Sequence, residues 1–313
     1  MQLKQIDIGG LKTPNNVFLA PLAGYTNAVF REMCFSLGAG LTFTEMVSAK
    51  GLCYNSKNTE ELLYVTPSYN GIKAVQLFGG DPEYMRRAAE SEFIAPFELI
   101  DINMGCPVPK IFNNGDGSAL MADFSRASAV IAACKKSGKP VSVKFRIGLS
   151  ADKIVAEDFA KMCEDSGADM ITVHGRTRDK IYAGEVNFAE IERVKRAVKI
   201  PVIANGGVFS VPDADNLMQK TGADGVMVAR GAMYSPWIFA ELTGAPLPDK
   251  RALVLKQLED TLALFGGRFA LVFMRKMAAF YTKGKPGSAS LREKLFTCDS
   301  IEKLRGMISE TEF

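Results

Sequence analysis

Asp101-Ile102-Asn103-Met104-Gly105-Cys106-Pro107 decides how this chain is read. With Leu99 and Ile100 it forms a short apolar strand that runs straight into a tight, cysteine-bearing turn. Pro107 and Pro109 fix two φ angles and are expected to keep that turn from winding into a helix. A thiol just past a strand end is held by rigid backbone yet can still reach a ligand, as in parallel barrel enzymes. By itself the segment reads more readily as a plain turn burying a small hydrophobe. The surrounding chain shifts that balance.

Short β-rich apolar segments recur on both sides of it: Val17–Ala20, Leu41–Glu45, Lys73–Phe78, Leu99–Ile102, Val141–Phe145, Met170–Val173, Pro201–Ala204 and Gly225–Val228. Helical stretches with apolar residues at 3–4 spacing lie between most of them, at Asp81–Glu92, Asp123–Lys136, Ala151–Asp165, Phe188–Val198 and Val211–Thr221. Several open on an Asp or Ser capping signal and close on a glycine. Alternation of this kind means parallel βα units, and eight units over roughly 240 residues predict an α/β fold, a (β/α)8 TIM barrel. A doubly wound sheet would place a glycine-rich phosphate turn after its first strand. Ala20-Pro21-Leu22-Ala23-Gly24 fits that poorly.

After Trp237-Ile238-Phe239 the strand signal stops. Gly244-Ala245-Pro246-Leu247-Pro248 reads as a linker, and residues 249–266, 268–282 and 299–309 as amphipathic helices, broken at Lys283-Gly284-Lys285-Pro286-Gly287. The expected organisation is a barrel domain at 1–246 and a small all-helical domain at 247–313.

The chain has 313 residues, 47% of them hydrophobic, a length and composition that can fill a large core. No apolar run approaches the roughly 18 residues of a membrane span. The first ten residues lack the apolar core of a signal peptide, so a cytoplasmic protein with no membrane partner is expected. Six cysteines without a CxxC pair and a single histidine, His174, argue against a metal cluster, a disulfide framework or a histidine-based triad. Proton chemistry then falls to Cys, Lys, Asp, Glu or Tyr. Residues 247–313 carry 12 Lys+Arg against 8 Asp+Glu, compatible with an anionic polymer but, on charge alone, better read as a solvated surface. No protein partner is signalled.

In a barrel, functional groups belong at strand ends. The first ends in Pro21, Leu22 and Ala23, small enough for a flat ring to approach the backbone; the second ends in Thr44-Glu45-Met46. Gln76 ends the third, Asn103 and Cys106 the fourth, Lys144 and Arg146 the fifth, and His174 and Arg176 the sixth. Asn205, Gly206 and Gly207 end the seventh, and Ala229 and Arg230 the eighth. Glycine amides with an arginine after the last two strands suggest a phosphate site. Lys144, a cation in an apolar strand, is desolvated at a cost unless it bends to solvent or meets an anion or a polar ring atom, such as the N1–C2=O edge of a flavin. Gln76 and Asn103 could bond the same edge. His174 could touch the phosphate or the ring.

Taken together these strand ends resemble the tRNA-dihydrouridine synthase family of flavoenzymes. The matching runs include Leu19–Asn27, Thr44–Ser48, Gln76–Gly79, Asp101–Lys110, Gly115–Met121, Val143–Gly148, Val173–Arg178, Tyr182–Gly184, Ala204–Val208, Ala229–Phe239 and Tyr281–Gly284, close to the whole chain. Three positions depart from the family's usual residues: Leu22 for Met, Gly207 for Asp and Ala229 for Gly. The resemblance implies tightly bound FMN, NADPH as co-substrate, and reduction of the C5=C6 bond of particular uridines in tRNA. Hydride would pass from flavin N5 to C6, and Cys106 would be the general acid at C5. FMN would be held by Pro21, Leu22, Ala23, Gln76, Lys144, Asn205, Gly206, Gly207, Ala229 and Arg230. Asn103, His174 and Arg176 would lie beside FMN or the target base. The helical domain would grip the tRNA backbone, and the base would be flipped from its stack. A thiol serving as an acid needs surroundings that do not stabilise its thiolate. The loop Gly115–Ser118 is expected to be flexible and able to close over the base. Two alternatives stay open: a dehydrogenase of free dihydroorotate or dihydropyrimidines, and a non-catalytic RNA-binding barrel.

Overall fold

The structure is a computed structural model that describes residues 2–285 and 287–313, with the backbone alone at residue 58. Pro286, part of the expected helix break, lies outside the described residues.

Eight parallel strands close into a barrel: Val17–Leu19, Leu41–Ser48, Lys73–Phe78, Leu99–Met104, Val141–Arg146, Met170–His174, Val202–Asn205 and Gly225–Val228. Each pairs with the next, and the eighth returns to the first. Alternation along each strand sorts the side chains. Val17 and Leu19 pack outward under the helices, whereas Phe18 and Ala20 point into the lumen. Phe43, Leu99, Met170, Ile203 and Met227 fill the lumen with them. An N-terminal hairpin, Asp7–Ile8 with Leu11–Lys12, was not foreseen. Its Ile8, with Ile6, joins the same cluster as Leu41 and Leu99, the first inward residues of their strands. The hairpin thus stoppers the end of the barrel opposite the strand C-termini.

The helices start where capping chemistry allows. Asp81 accepts from the N–H groups of Glu83 and Tyr84 ahead of Pro82–Ala89, and Ser210 accepts from Asp213 ahead of Val211–Thr221. Helix Ala28–Ser36, unassigned from sequence, is capped by Asn27. The helix expected from Ala151 begins only at Ala156, because Ile154 bridges back to Gly148. Pro109 opens a short helix, Pro109–Asn113, instead of preventing one. At the first helical position a proline has no needed N–H to lose, and its φ is already helical.

Beyond the turn at Gly244 the described residues form four helices: Lys250–Phe265, Gly267–Tyr281, Ser288–Thr297 and Ile301–Glu310. The first two pack against the helices that follow the first and eighth strands, joined to the barrel side by the Trp237–Tyr281 ring contact (5.8 Å between centroids) and the Tyr25–Phe280 stack (5.9 Å). Among the described residues no helix is long and apolar enough to cross a membrane.

Candidate active site

The C-terminal ends of the strands surround a cavity of about 530 Å³. Pro21, Leu22, Ala23, Asn103, Cys106, Lys144, His174, Arg176, Asn205, Gly206, Gly207, Ala229 and Arg230 all line it. Among the described residues four cations face in, Lys144, Arg146, Arg176 and Arg230, and no Asp or Glu lines the cavity. Arg230 has no ion-pair partner among the described residues; its guanidinium lies 4.7 Å from the centre of the Tyr182 ring and 5.7 Å from that of Phe209. Gly206 and Gly207 turn with φ of 125° and 74°, a region that disfavours any side chain. Among the described residues neither of their amides donates a hydrogen bond.

Gln76 does not line the cavity. Its register with Asp101 puts it one layer down in the lumen, where it is buried. Its Nε2 donates to Asp101 (2.6 Å) and its Oε1 accepts from Asn103 (2.9 Å). Asp101 is fully buried and also accepts from Ser142 at 2.6 Å. Burial pushes its carboxyl up to about 6, against the pull of Ser142, Gln76 and Lys144. Above this layer Lys144 donates to Asn205 Oδ1 at 3.2 Å, while Asn205 Nδ2 donates to the Met227 carbonyl. Burial first, and Arg146 second, push the Lys144 ammonium down to about 8; Asp101 and Cys106 oppose them.

The cysteine turn is fixed from every side. Asn103 Oδ1 accepts from the N–H groups of Gly105 (3.1 Å) and Cys106 (2.9 Å). Arg146 holds the Gly105 carbonyl, and Ser118 holds that of Cys106 with its hydroxyl (2.7 Å) and its N–H. The thiol opens on the cavity with only 9% of the residue exposed. Burial raises it above an ordinary thiol, outweighing the Val108 N–H, Arg146 and Lys144, so at neutral pH it carries its proton.

The expected lid is not one. Asp116 holds the Gly80 N–H, Gly117 and Ser118 are buried, and Gly117–Ala122 winds as a short 3-10 helix. A Cβ at Gly117 would meet the Cβ of Cys106 at 3.0 Å, so this segment is packing for the cysteine turn.

His174 is buried among Lys144, Arg146, Arg176 and Arg230; desolvation and then those charges hold it well below its ordinary pKa, as neutral imidazole. Arg176 is tied to the Gly184 carbonyl by Nε (3.0 Å) and Nη2 (2.9 Å), and Arg146 to the carbonyls of Thr177 and Ile181. These bonds shape the loop after the sixth strand, which carries Tyr182 to the rim. Tyr25, Tyr182 and Phe209 line the cavity but were not singled out as site residues from sequence, and Arg146, placed at a strand end, was given no role. The run Tyr182–Gly184 was the one available signal for Tyr182.

Fold and mouth define a (β/α)8-barrel enzyme with a cation-lined pocket and a protonated thiol. Residues 18–311 match the family described as dihydrouridine synthase (Dus). The chain is 34% identical to "tRNA-dihydrouridine synthase B" of Pseudomonas aeruginosa, over 92% of this chain and 90% of that one. It is 35% identical to "Probable tRNA-dihydrouridine synthase 1" of Synechocystis, over 98% and 89% respectively. The protein belongs to the dihydrouridine synthase family and is an oxidoreductase. Morphinone reductase shares its fold, with a TM-score of 0.58 at 14% identity over 78% of this chain and 90% of that one.

Proposed function

We propose that the protein reduces the C5=C6 bond of uridines in tRNA, with FMN resident in the mouth and NADPH as reductant. The observation that carries this reading is the cavity's charge: four inward cations with no lining carboxylate, above a protonated thiol. A cavity of about 530 Å³ falls within the range of cofactor sites. Arg230 and the free amides of Gly206 and Gly207 suit one phosphate, which favours FMN over a dinucleotide. Pro21, Leu22, Ala23 and Ala229 offer little side chain, leaving room for a flat ring. Lys144, with Asn205 orienting it, would face the ring's polar edge; Gln76 would support that edge from beneath through Asn103. When bound, the flavin would supply hydride to C6 and take electrons from NADPH.

The chain's own part is acid catalysis and orientation. Charge gathers at C5 and O4 of a uracil reduced at C6, and the Cys106 thiol is the proton source for C5. Neutral His174 cannot compete as a strong acid. Arg176, already anchored at Gly184, would hold the base or its phosphate. The uridine must leave its stack to enter so narrow a mouth. Residues 247–313, as a helical domain, would bind the tRNA body, with the enzyme in the cytoplasm. The test is to purify the chain, release any chromophore by heat and identify it by mass. FMN is expected, and a colourless protein that binds none on titration contradicts the reading.

A further inference from the structure

We propose that Asp101 is a positioning residue that sets Cys106 through two amide side chains, Gln76 and Asn103. Its catalytic consequence rests on Cys106 being the proton donor of the reaction proposed above.

Asp101 points into the lumen, flanked in register by Gln76 on the third strand and Ser142 on the fifth. An apolar side chain there would carry no desolvation cost of its own, as Leu99 carries none one layer down, but it would leave Ser142 and Gln76 unpaired. A carboxylate brings something Leu cannot, a pair of acceptors with no proton to give. Ser142 and Gln76 both donate to it at 2.6 Å. Gln76 must therefore turn its NH2 toward Asp101 and its carbonyl toward Asn103. Asn103 must then answer with Nδ2, at 2.9 Å, leaving only its carbonyl for the cysteine turn. That carbonyl receives the Gly105 and Cys106 N–H groups. Flipping either amide would set donor against donor. The orientation chosen at Asp101 is thus passed, link by link, to the backbone of Cys106. Ser118 and Arg146 fix only the carbonyls of this turn, so its amides depend on the relay.

The test uses holoprotein carrying Asp101→Asn, Asp101→Leu or Gln76→Leu, read by amide hydrogen exchange and by single-turnover dihydrouridine formation. Asn can accept from Gln76 while donating to Ser142, so Asp101→Asn is expected to keep exchange protection at Gly105 and Cys106 and most of the rate. Asp101→Leu removes both acceptors. It is expected to lose protection at those two amides, with Leu99–Ile102 unchanged, and to form dihydrouridine about tenfold or more slowly. Gln76→Leu breaks the next link and is expected to expose the same amides, should Asp101→Leu fail to fold. In a Cys106→Ala background Asp101→Leu is expected to cost no further rate. Unchanged protection in both Leu variants would overturn the proposal, as would a loss in Asp101→Asn equal to that in Asp101→Leu. Hydrogen exchange reads the relay without reference to the reaction. A fully active Cys106→Ala would instead overturn the acid role and, with it, the catalytic consequence claimed for Asp101.

Discussion

Lys276 donates from Nζ to the carbonyl of Gly24 at 2.6 Å, so a side chain of the helical segment closes the turn after the first barrel strand. The Gly24 N–H is held by Glu45 of the second strand, and its φ of 77° suits glycine. The same ammonium lies 4.0 Å from the centre of the Tyr25 ring, which stacks on Phe280 and lines the cavity. The helical segment therefore buttresses one wall of the mouth from behind.

It follows that Lys276→Met should loosen the turn carrying Pro21, Leu22 and Ala23. Flavin dissociation is expected to quicken by about tenfold, the scale of one charge-assisted hydrogen bond. Stopped-flow release into an FMN-binding trap measures it, and a wild-type rate would limit the helical segment to contacts outside the mouth.

Among the described residues Arg230 has no carboxylate partner, and the proposed function gives it the cofactor's phosphate. Arg230→Ala should raise the FMN dissociation constant by about 10- to 100-fold, the equivalent of about 1.5–3 kcal/mol for a lost charged hydrogen bond. Arg230→Lys should recover part of it, since the charge returns without the fork. Retention of full flavin absorbance by Arg230→Ala after dialysis would move the phosphate elsewhere.

For Cys106→Ala the expectation is a split phenotype. Flavin content and NADPH oxidation should match wild type, while dihydrouridine formation falls by about 10²–10⁴, the usual worth of a general acid. Equal turnover on tRNA would remove the thiol from the reaction.

Lys144 gives opposite pH trends for stability and for ligand. In the fold its ammonium is pushed down to about 8 from an ordinary 10.5 by burial and Arg146, with Asp101 and Cys106 opposing. Between those values the unfolded chain holds the extra proton, so this group's contribution to apoprotein stability rises with pH. Over the same rise the site loses a cation, and affinity for anionic reduced flavin should fall. Denaturant midpoints and flavin titrations from pH 7 to 10 check both slopes. Lys144→Met should abolish both, and persistence of either in that variant assigns it to another group.

All eight barrel strands were legible because β-branched runs separated by capped helices admit few other readings. What escaped depended on register or on weak local signals. Leu41–Ser48 runs three residues past its expected end, through an irregularity between Phe43 and Met46 that carries Glu45 along. Helix Ser288–Thr297 follows a glycine and has no side-chain cap, so nothing announced it. Gln76 looked like a strand-end ligand, but pairing with Asp101 sets it in the layer below. That Cys106, Lys144 and Arg230 face the cavity was legible because each follows or ends a recognisable barrel strand. Tyr25 and Tyr182 were not, since their place depends on partners far along the chain, Lys276 and Arg230.

The most direct measurement is mass mapping of unmodified tRNA after incubation with the purified flavin-loaded chain and NADPH. A gain of two hydrogens at specific uridines, lost with Cys106→Ala, is the expected result. Unaltered tRNA from a flavin-loaded, NADPH-oxidising protein would contradict uridine reduction at this mouth.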